Sequence, residues 1–157
     1  MSSNVLDDVD RGILYALQQD ARNTTTRDIA EQVGVTASTV SNRITHLEAD
    51  GIITDYYTVL DYDRAGFPLH VLITGTAPIV EREALARRAL DIPGVVSVRE
   101  LMVGEGNIRL ETVGQSNDDI TRIVTELSEM GVSISDEVLV RNQYYRPLAL
   151  LETEGEN

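Results

Sequence analysis

Two helical patterns separated by a short turn, in residues 26–50, constrain the fold of this chain more than any other feature. Thr25 and Asp28 have the spacing of a capping box, which predicts that the first helix begins between them. Its apolar stripe is predicted to comprise Ile29, Ala30 and Val33. Gly34 marks its end, because a chain leaving a helix there commonly adopts the positive φ that glycine tolerates.

The second helix is predicted to begin after Thr36 and to end at Gly51. Apolar residues recur along it at spacings of four and three, at Val40, Ile44 and Leu47. Its other faces lack the glutamate and lysine that usually fill a solvated helix face. They carry groups that can hydrogen-bond to bases or phosphates, which favours a helix-turn-helix that contacts DNA over an ordinary pair of surface helices. The residues predicted to contact DNA are Thr36, Ser38, Thr39, Ser41, Asn42, Arg43 and His46, with Arg27 on the first helix.

The flanking segments complete a larger pattern. Residues 6–17 carry an apolar stripe at helical period, with aspartates at the positive end of the helix dipole. Residues 52–60 have the Ile, Tyr, Thr and Val content of a strand. Three helices followed by a strand predict a winged helix-turn-helix.

The runs LDDVDRGILYALQQDAR and DIAEQVGVTASTVSNRITHLEADGII resemble the amino-terminal domain of the Lrp/AsnC family of transcription regulators. The resemblance continues to the end of the chain. It implies an α+β fold, with an N-terminal winged helix-turn-helix followed by a C-terminal βαββαβ ferredoxin-like (RAM/ACT-like) domain that senses a ligand and forms oligomers. The predicted limits are 1–60 for the DNA-binding domain, 61–67 for a linker, 68–151 for the ligand-sensing domain and 152–157 for an acidic tail.

The second half of the chain shows the same element order by its own composition. Strands are predicted at 70–76, 95–103, 108–113 and 132–145, and helices at 81–90 and 118–130, with Asn117 as the cap of the second. A sheet covered by helices on one face leaves its other face for a partner, which predicts a homodimer, with a tetramer or octamer as further assemblies. Such a dimer presents two recognition helices to a pseudo-palindromic site.

The net charge of the chain is unfavourable for DNA binding, because 26 acidic and 13 basic residues give a net charge of −13. Nucleic-acid-binding proteins usually carry a basic excess. All the basic residues are arginines, however, and an acid-rich, lysine-free composition is expected where salt is molar and the Debye length is about 3 Å. The composition therefore predicts a halophilic protein of haloarchaeal type, in which short-range contacts decide DNA binding.

Two basic side chains, Arg43 and His46, have open alternatives. Arg43 is the best candidate for a base edge or phosphate, and the alternative is a local ion pair with Glu48 or Asp50. His46 can donate to a phosphate or can be an ordinary surface residue. His70 lies in a predicted strand, where we expect a packing role.

The family resemblance also implies a small-molecule effector, typically an amino acid, near a hairpin loop. The matching residues are Met102, Val103, Gly104, Glu105, Gly106 and Asn107. Backbone N–H groups of this loop can meet a carboxylate, and Glu105 or Asn107 can meet an amino group. The family's loop usually has an aspartate after a bulky residue where this chain has Gly106 and Asn107. Because of this departure three hypotheses stay open: the loop binds a different ligand, it has lost ligand binding, or its glycines serve only to turn the hairpin.

Other function classes find little support. The chain has no cysteine, which excludes thiolate chemistry and disulfides, and its two histidines fall in different predicted domains. We therefore predict a regulator that is not an enzyme and needs no cofactor. The alternatives are a sirohaem decarboxylase, whose architecture resembles this family, and a metabolite-sensing module without DNA binding. The polar start and the absence of an apolar run of about 18 residues predict a cytoplasmic protein without a membrane partner.

Overall fold

The computed structural model describes residues 5–152, and their contacts divide them into two units. One unit comprises the described residues up to Thr58 together with those from Tyr144 onward, and the second is Val59–Gln143. The segment that begins at Tyr144 was assigned by the sequence to the second domain, but its contacts lie with the first unit. Of the predicted tail only Glu152 is described, and the rest lies outside the described residues. No helix between residues 5 and 152 combines the length and the apolarity that a bilayer crossing requires.

Three helices form the first unit: α1 (Asp8–Asp20), α2 (Thr26–Val33) and α3 (Ala37–Ala49). Their starts are set by side-chain caps, because the first backbone N–H groups of a helix have no partner inside it. Thr25 and Asp28 form the predicted capping box of α2. The Thr36 hydroxyl accepts from the Thr39 N–H at 3.2 Å and caps α3. Gly34 has a φ of 74°, as its place at the end of α2 required.

The core of the first unit lies between these helices. It consists of Ile13, Ala16, Ile29, Ala30, Val40 and Leu47. Gly12 lets α1 and α2 approach closely, because a Cβ atom at this position would collide with Val33 Cγ1. The 3₁₀ turn Ala149–Leu151, from the carboxy-terminal segment, also packs on α1.

The predicted strand at 52–60 is the main difference in this unit, since the structure has no strand there. Backbone amides of Ile52 and Ile53 donate to Leu47 O at 2.9 and 3.0 Å and close the end of α3. Beyond them the segment pairs with no other strand among residues 5–152. Strand composition alone does not make a strand, because a strand needs a hydrogen-bonded neighbour.

The second unit has the predicted βαββαβ order. Its elements are β1 (Leu69–Thr76), α4 (Arg82–Ala89), β2 (Val95–Glu100), β3 (Ile108–Gly114), α5 (Asn117–Glu129) and β4 (Ser133–Leu139). The strands form one sheet in the order β2-β3-β1-β4 with antiparallel neighbours. This is the ferredoxin-like arrangement, and the α+β fold class is confirmed. The helix α5 is capped by Ser116, one residue before the predicted cap Asn117.

One face of the sheet packs against α4 and α5. The buried residues of this core include Ile73, Leu110, Leu85 and Ile123. The strand β4 is shorter than predicted and ends at Leu139, opposite Val71. The Val140 N–H still donates to His70 O at 2.7 Å. Because β1 begins at Leu69, directly after Pro68, it has little backbone left to pair with the residues that follow Val140. The length of β4 is therefore set by the start of its neighbour.

We call the other side of the sheet the open face. It is identified by the register, because residues that alternate with the buried ones on each strand point away from α4 and α5. Its side chains include Ser97, Arg99, Arg109, Glu111, His70, Leu72, Thr74, Asp136 and Val138. His70 contributes to a partly buried network there, with its Nε2 atom 2.7 Å from Glu111 Oε1 and its ring edge-on to Tyr62.

Candidate nucleic-acid interface

The amino-terminal end of α3 carries a compact group of hydroxyls. Thr36 Oγ1 lies 3.1 Å from Ser38 Oγ and 2.9 Å from Thr39 Oγ1, in addition to its capping bond. The N-terminus of a helix has unpaired backbone donors and the positive end of the helix dipole, and both favour an anion. The predicted residues Thr36, Ser38 and Thr39 are thus brought together where a phosphate oxygen would be favoured.

A polar strip continues along α3 from this end. Ser41, Asn42 and His46 are all exposed, whereas Val40 and Leu47 of the same helix are buried in the core. Residues 32–47 contain no acidic side chain, although the first 58 residues hold nine acidic residues and only four arginines. Over these residues α3 therefore adds no carboxylate of its own to the surface that a recognition helix presents to DNA.

Arg43 has different partners from those considered in the sequence. Its Nη1 atom lies 2.8 Å from Asp7 Oδ2 and 3.1 Å from Asp10 Oδ1, so the local ion pair with Glu48 or Asp50 is not its arrangement. The pKa of Asp7 is lowered, chiefly because its carboxylate accepts from the Asp10 backbone N–H and further because of Arg43. Sequence analysis missed both aspartates as partners, because they lie 36 and 33 residues away and no local pattern links them.

Arg27 lies on α2 and pairs with Glu31 one turn later at 3.4 Å. Both side chains are largely exposed, at 84% and 71%, and such pairs contribute little to stability. The Arg27 guanidinium can therefore exchange this carboxylate for a phosphate at small cost.

The predicted effector loop joins β2 and β3 and spans residues 101–107, longer than the four-residue loop expected. The backbone N–H of Leu101 donates to Asn107 O at 2.8 Å and closes the loop at its base. Met102, Val103, Gly104 and Glu105 are exposed, whereas the Gly106 N–H is held by Thr76 Oγ1 at 2.9 Å.

Asn107 has a structural role that differs from the predicted contact with an effector's amino group. The residue is fully buried, at 0% exposure. Its Oδ1 atom accepts from the Ala77 N–H at 2.8 Å, and its Nδ2 atom donates to Ala77 O at 2.9 Å. Both ends of the amide are thus bonded to the chain that follows β1. The Asn107 prediction is corrected accordingly, because a ligand could reach this amide only by breaking these bonds.

Comparison with known proteins agrees with this geometry. Residues 6–54, which include all three helices of the first unit, match the model of the winged helix-turn-helix DNA-binding family. The family match, the three-helix fold and the exposed face of α3 together define a winged helix-turn-helix DNA-binding protein.

The similarity extends through the second unit. The chain is 32% identical over 124 residues to the HTH-type transcriptional regulator AldR of Mycolicibacterium smegmatis, covering 77% of this chain and 71% of that protein. A Neisseria meningitidis transcriptional regulator, solved as a complex with L-Met, superposes with a TM-score of 0.74 at 26% identity, covering 91% of this chain and 94% of that one. The Mycobacterium tuberculosis leucine response regulatory protein LrpA has the same fold, with a TM-score of 0.77 at 21% identity over 90% and 96% of the two chains.

The chain belongs to the Lrp/AsnC family of transcription regulators. It is accordingly a DNA-binding regulator and not an enzyme, and neither the sirohaem decarboxylase alternative nor a module without DNA binding is favoured.

Proposed function

We propose that this regulator binds specific operator sequences through the polar strip of α3. The residues assigned to DNA are Thr36, Ser38, Thr39, Ser41, Asn42, Arg43 and His46, together with Arg27. The observation that carries the proposal is an exposed, carboxylate-free strip on a helix whose other side is buried, in a chain of net charge −13. The hydroxyl group at the start of α3 suits a phosphate, and Ser41 and Asn42 have the donors and acceptors that base edges require.

The test is a fluorescence anisotropy titration of a bound promoter fragment at molar KCl. Replacement of Asn42 by alanine should weaken specific binding by about 1–3 kcal/mol, because a carboxamide on a base edge contributes that much. Gln19→Ala is the matched control, since Gln19 is an exposed carboxamide on α1. Equal affinities of the two variants for the specific fragment would refute the assignment of Asn42.

We further propose that the regulator responds to an amino acid held at the β2–β3 loop by Met102, Val103, Gly104, Glu105 and Gly106, with Asn107 shaping the loop. The L-Met complex of the Neisseria meningitidis regulator motivates an amino-acid ligand. The backbone N–H of the exposed Gly104 suits a carboxylate, and the Glu105 carboxylate suits an amino group. Calorimetric titration with L-Met and other amino acids should give heat that Glu105→Gln abolishes. Glu129→Gln is the control, because Glu129 is an exposed carboxylate on α5, and it should leave the heat of binding unchanged. If the wild-type protein gives no heat of binding with any amino acid, the proposal is refuted.

The assembly proposed is a homodimer through the open face, able to extend to a tetramer or octamer. Leu72 and Val138 are exposed there at 39% and 49%, and a sheet face of this kind gains by covering its apolar residues. Light scattering at increasing protein concentration tests the dimer. The predicted domain limits 1–60, 61–67 and 68–151 are proposed with one change, because the described residues from Tyr144 onward belong with the first unit. A haloarchaeal origin and a cytoplasmic location complete the proposal. Its support is the lysine-free composition and the chain's role on DNA.

A further inference from the structure

Arg82, the first residue of α4, contacts the start of the β2–β3 loop. Its Nη1 atom donates to Leu101 O at 2.9 Å, and its Nε atom donates to Glu100 Oε2 at 3.2 Å. Leu101 lies beyond the last ladder pair of β2 and β3, which joins Glu100 to Ile108, so its carbonyl depends on a donor from outside the sheet. Arg82 therefore fixes the point at which the chain leaves β2.

The position of Arg82 in α4 would be electrostatically unfavourable without these contacts. A cation at the start of a helix faces the positive end of the helix dipole, and Glu81, the residue before it, forms no side-chain cap. The Arg82 side chain is only 22% exposed, so its charge has also lost much of its water. Arg87 and Arg88, by contrast, lie at the favourable end of the same helix. The position of Arg82 is thus explained by the loop and not by the helix.

The other end of the β2–β3 loop is attached to the same part of the chain. The Gly106 N–H donates to Thr76 Oγ1 at 2.9 Å. The buried Asn107 amide bonds to both the N–H and the O atom of Ala77. Both ends of the loop are thus held by residues 76–82, which lead from the end of β1 into α4, while the middle of the loop stays exposed. Fixed ends and an accessible middle are what a preorganised binding loop requires.

We propose that Arg82 is a positioning residue of the amino-acid site at the β2–β3 loop. It holds the first end of the loop against α4, so that the Gly104 N–H and the Glu105 carboxylate keep the spacing that an amino acid needs. The inference rests on the proposed amino-acid response and adds to that site a residue from outside the loop. A guanidinium suits this role because its planar fork offers several donors in fixed directions, whereas a lysine ammonium is a single point charge.

Hydrogen exchange of the Leu101 amide tests this role in the full-length protein without a ligand. In the wild type this amide donates to Asn107 O at 2.8 Å and closes the loop at its base. Arg82→Gln removes the charge-assisted bond to the Leu101 carbonyl, so the amide should exchange at least about tenfold faster. Arg87→Gln is the matched control, because Arg87 of α4 likewise pairs with a glutamate but is 77% exposed. Circular dichroism verifies that both variants fold.

Calorimetric titration with L-Met, or with whichever other amino acid gives heat with the wild type, tests the consequence for binding. The dissociation constant should rise about tenfold or more in Arg82→Gln and stay unchanged in Arg87→Gln, because only the first variant loosens the loop. Arg82→Lys keeps the charge but not the fork, so its dissociation constant should stay at least about threefold above that of the wild type. Complete recovery with lysine would show that charge alone acts, and it would overturn the positioning role.

The two measurements separate failure of this proposal from failure of the amino-acid response. If the wild type gives no heat with any amino acid, the response is refuted, and exchange at Leu101 still decides whether Arg82 positions the loop. If the wild type binds an amino acid and Arg82→Gln binds it equally well, the positioning role is overturned and the response is supported. Equal exchange at Leu101 in Arg82→Gln and Arg87→Gln overturns the positioning role as well.

Discussion

Arg43 lies on α3, the proposed recognition helix, but its charge is largely balanced by Asp7 and Asp10 of α1. The Asp10 side chain is only 14% exposed, so the pair holds α3 against α1 more firmly than a surface ion pair would. The same balance limits the attraction of Arg43 for a phosphate. The residue thus fixes the position of the helix, and its Nε and Nη2 donors are bonded to no carboxylate among the described residues.

Removing one of the two aspartate charges should strengthen non-specific DNA binding. In Asp10→Asn the positive charge of Arg43 is less compensated, so the slope of log K against log [KCl] should steepen by up to about 0.9, the value for one additional phosphate contact. Fluorescence anisotropy over a range of KCl concentrations measures this slope. Asp8→Asn changes the net charge equally in the same turn, and Asp8 is exposed. A slope equal to that of Asp8→Asn would show that Arg43 gains no phosphate.

Asn107 should prove essential to the stability of the second unit. Asn107→Ala removes both bonds to Ala77 and leaves a buried N–H and C=O unpaired, which we expect to cost about 2–4 kcal/mol. Urea unfolding followed by circular dichroism measures the loss. Asn142→Ala provides the control, because Asn142 is exposed. A loss no larger than the control's would mean that the amide is not held as described.

At the scale of elements, the neighbour of each segment decides whether it becomes a strand. The segment that follows α3 is rich in strand-forming residues but forms no strand, and a side-chain hydrogen bond links it to α3. Tyr56 donates its hydroxyl to Glu48 Oε1 at 2.9 Å, and burial together with this carboxylate raises the pKa of Tyr56 to about 12. This contact stabilises the first unit below the ordinary tyrosine pKa of about 10 and is lost as the pH rises through 12.

A hydrogen bond and leucine contacts hold the carboxy-terminal segment on α1. The Leu148 N–H donates to Gln18 Oε1 at 3.0 Å, and Leu148 and Leu151 line a groove of about 400 Å³ with Leu14, Leu17 and Ile53. The segment therefore covers apolar surface of α1 that would otherwise be exposed.

Disrupting this packing should destabilise the first unit. Leu151→Asp should lower its free energy of unfolding by about 1–2 kcal/mol, because a charge replaces a half-buried apolar side chain. Hydrogen exchange of the α1 amides reports the change in this unit alone. Leu150→Asp lies in the same turn, and Leu150 is 79% exposed, so it should have little effect. If both variants exchange alike, the docking of the segment contributes nothing to stability.

At the scale of the whole molecule, the dominant feature is a net charge of −13 on 157 residues. Self-repulsion of this size destabilises the folded state at low ionic strength. The attractions that oppose this repulsion are short-range ion pairs such as Arg43 with Asp7. Salt screens them less than it screens the repulsion between distant charges, because the paired atoms are in contact.

Stability should therefore rise with salt. We expect the free energy of unfolding to increase by about 1 kcal/mol or more between about 0.1 M and about 2 M KCl, as the Debye length falls from about 10 Å to less than about 3 Å. For domains of this size each kilocalorie raises Tm by about 4–8 °C. Thermal melts followed by circular dichroism measure the shift, and sorbitol at equal osmolality controls for preferential exclusion. A Tm that stays constant or falls with KCl would contradict the halophilic proposal.

The sequence by itself determined the features whose causes lie within one or two helical turns. Thr25, Asp28 and Thr36 cap their helices because the groups they satisfy are three residues away. Gly34 ends α2 because its own backbone conformation requires glycine. The βαββαβ order followed in the same way from the period of apolar residues, which is a local property of each segment.

Only the tertiary structure decided the features that depend on distant partners. It brought Arg43 to Asp7 and Asp10, and Asn107 to Ala77, across separations of 30 residues or more. It limited β4 by the start of β1 and left 52–60 without a strand. The physical reason is common to all of them. A polar side chain or a strand forms its hydrogen bonds with whichever complementary group the fold places beside it. The periodicity of residues along the chain does not specify which distant group that will be.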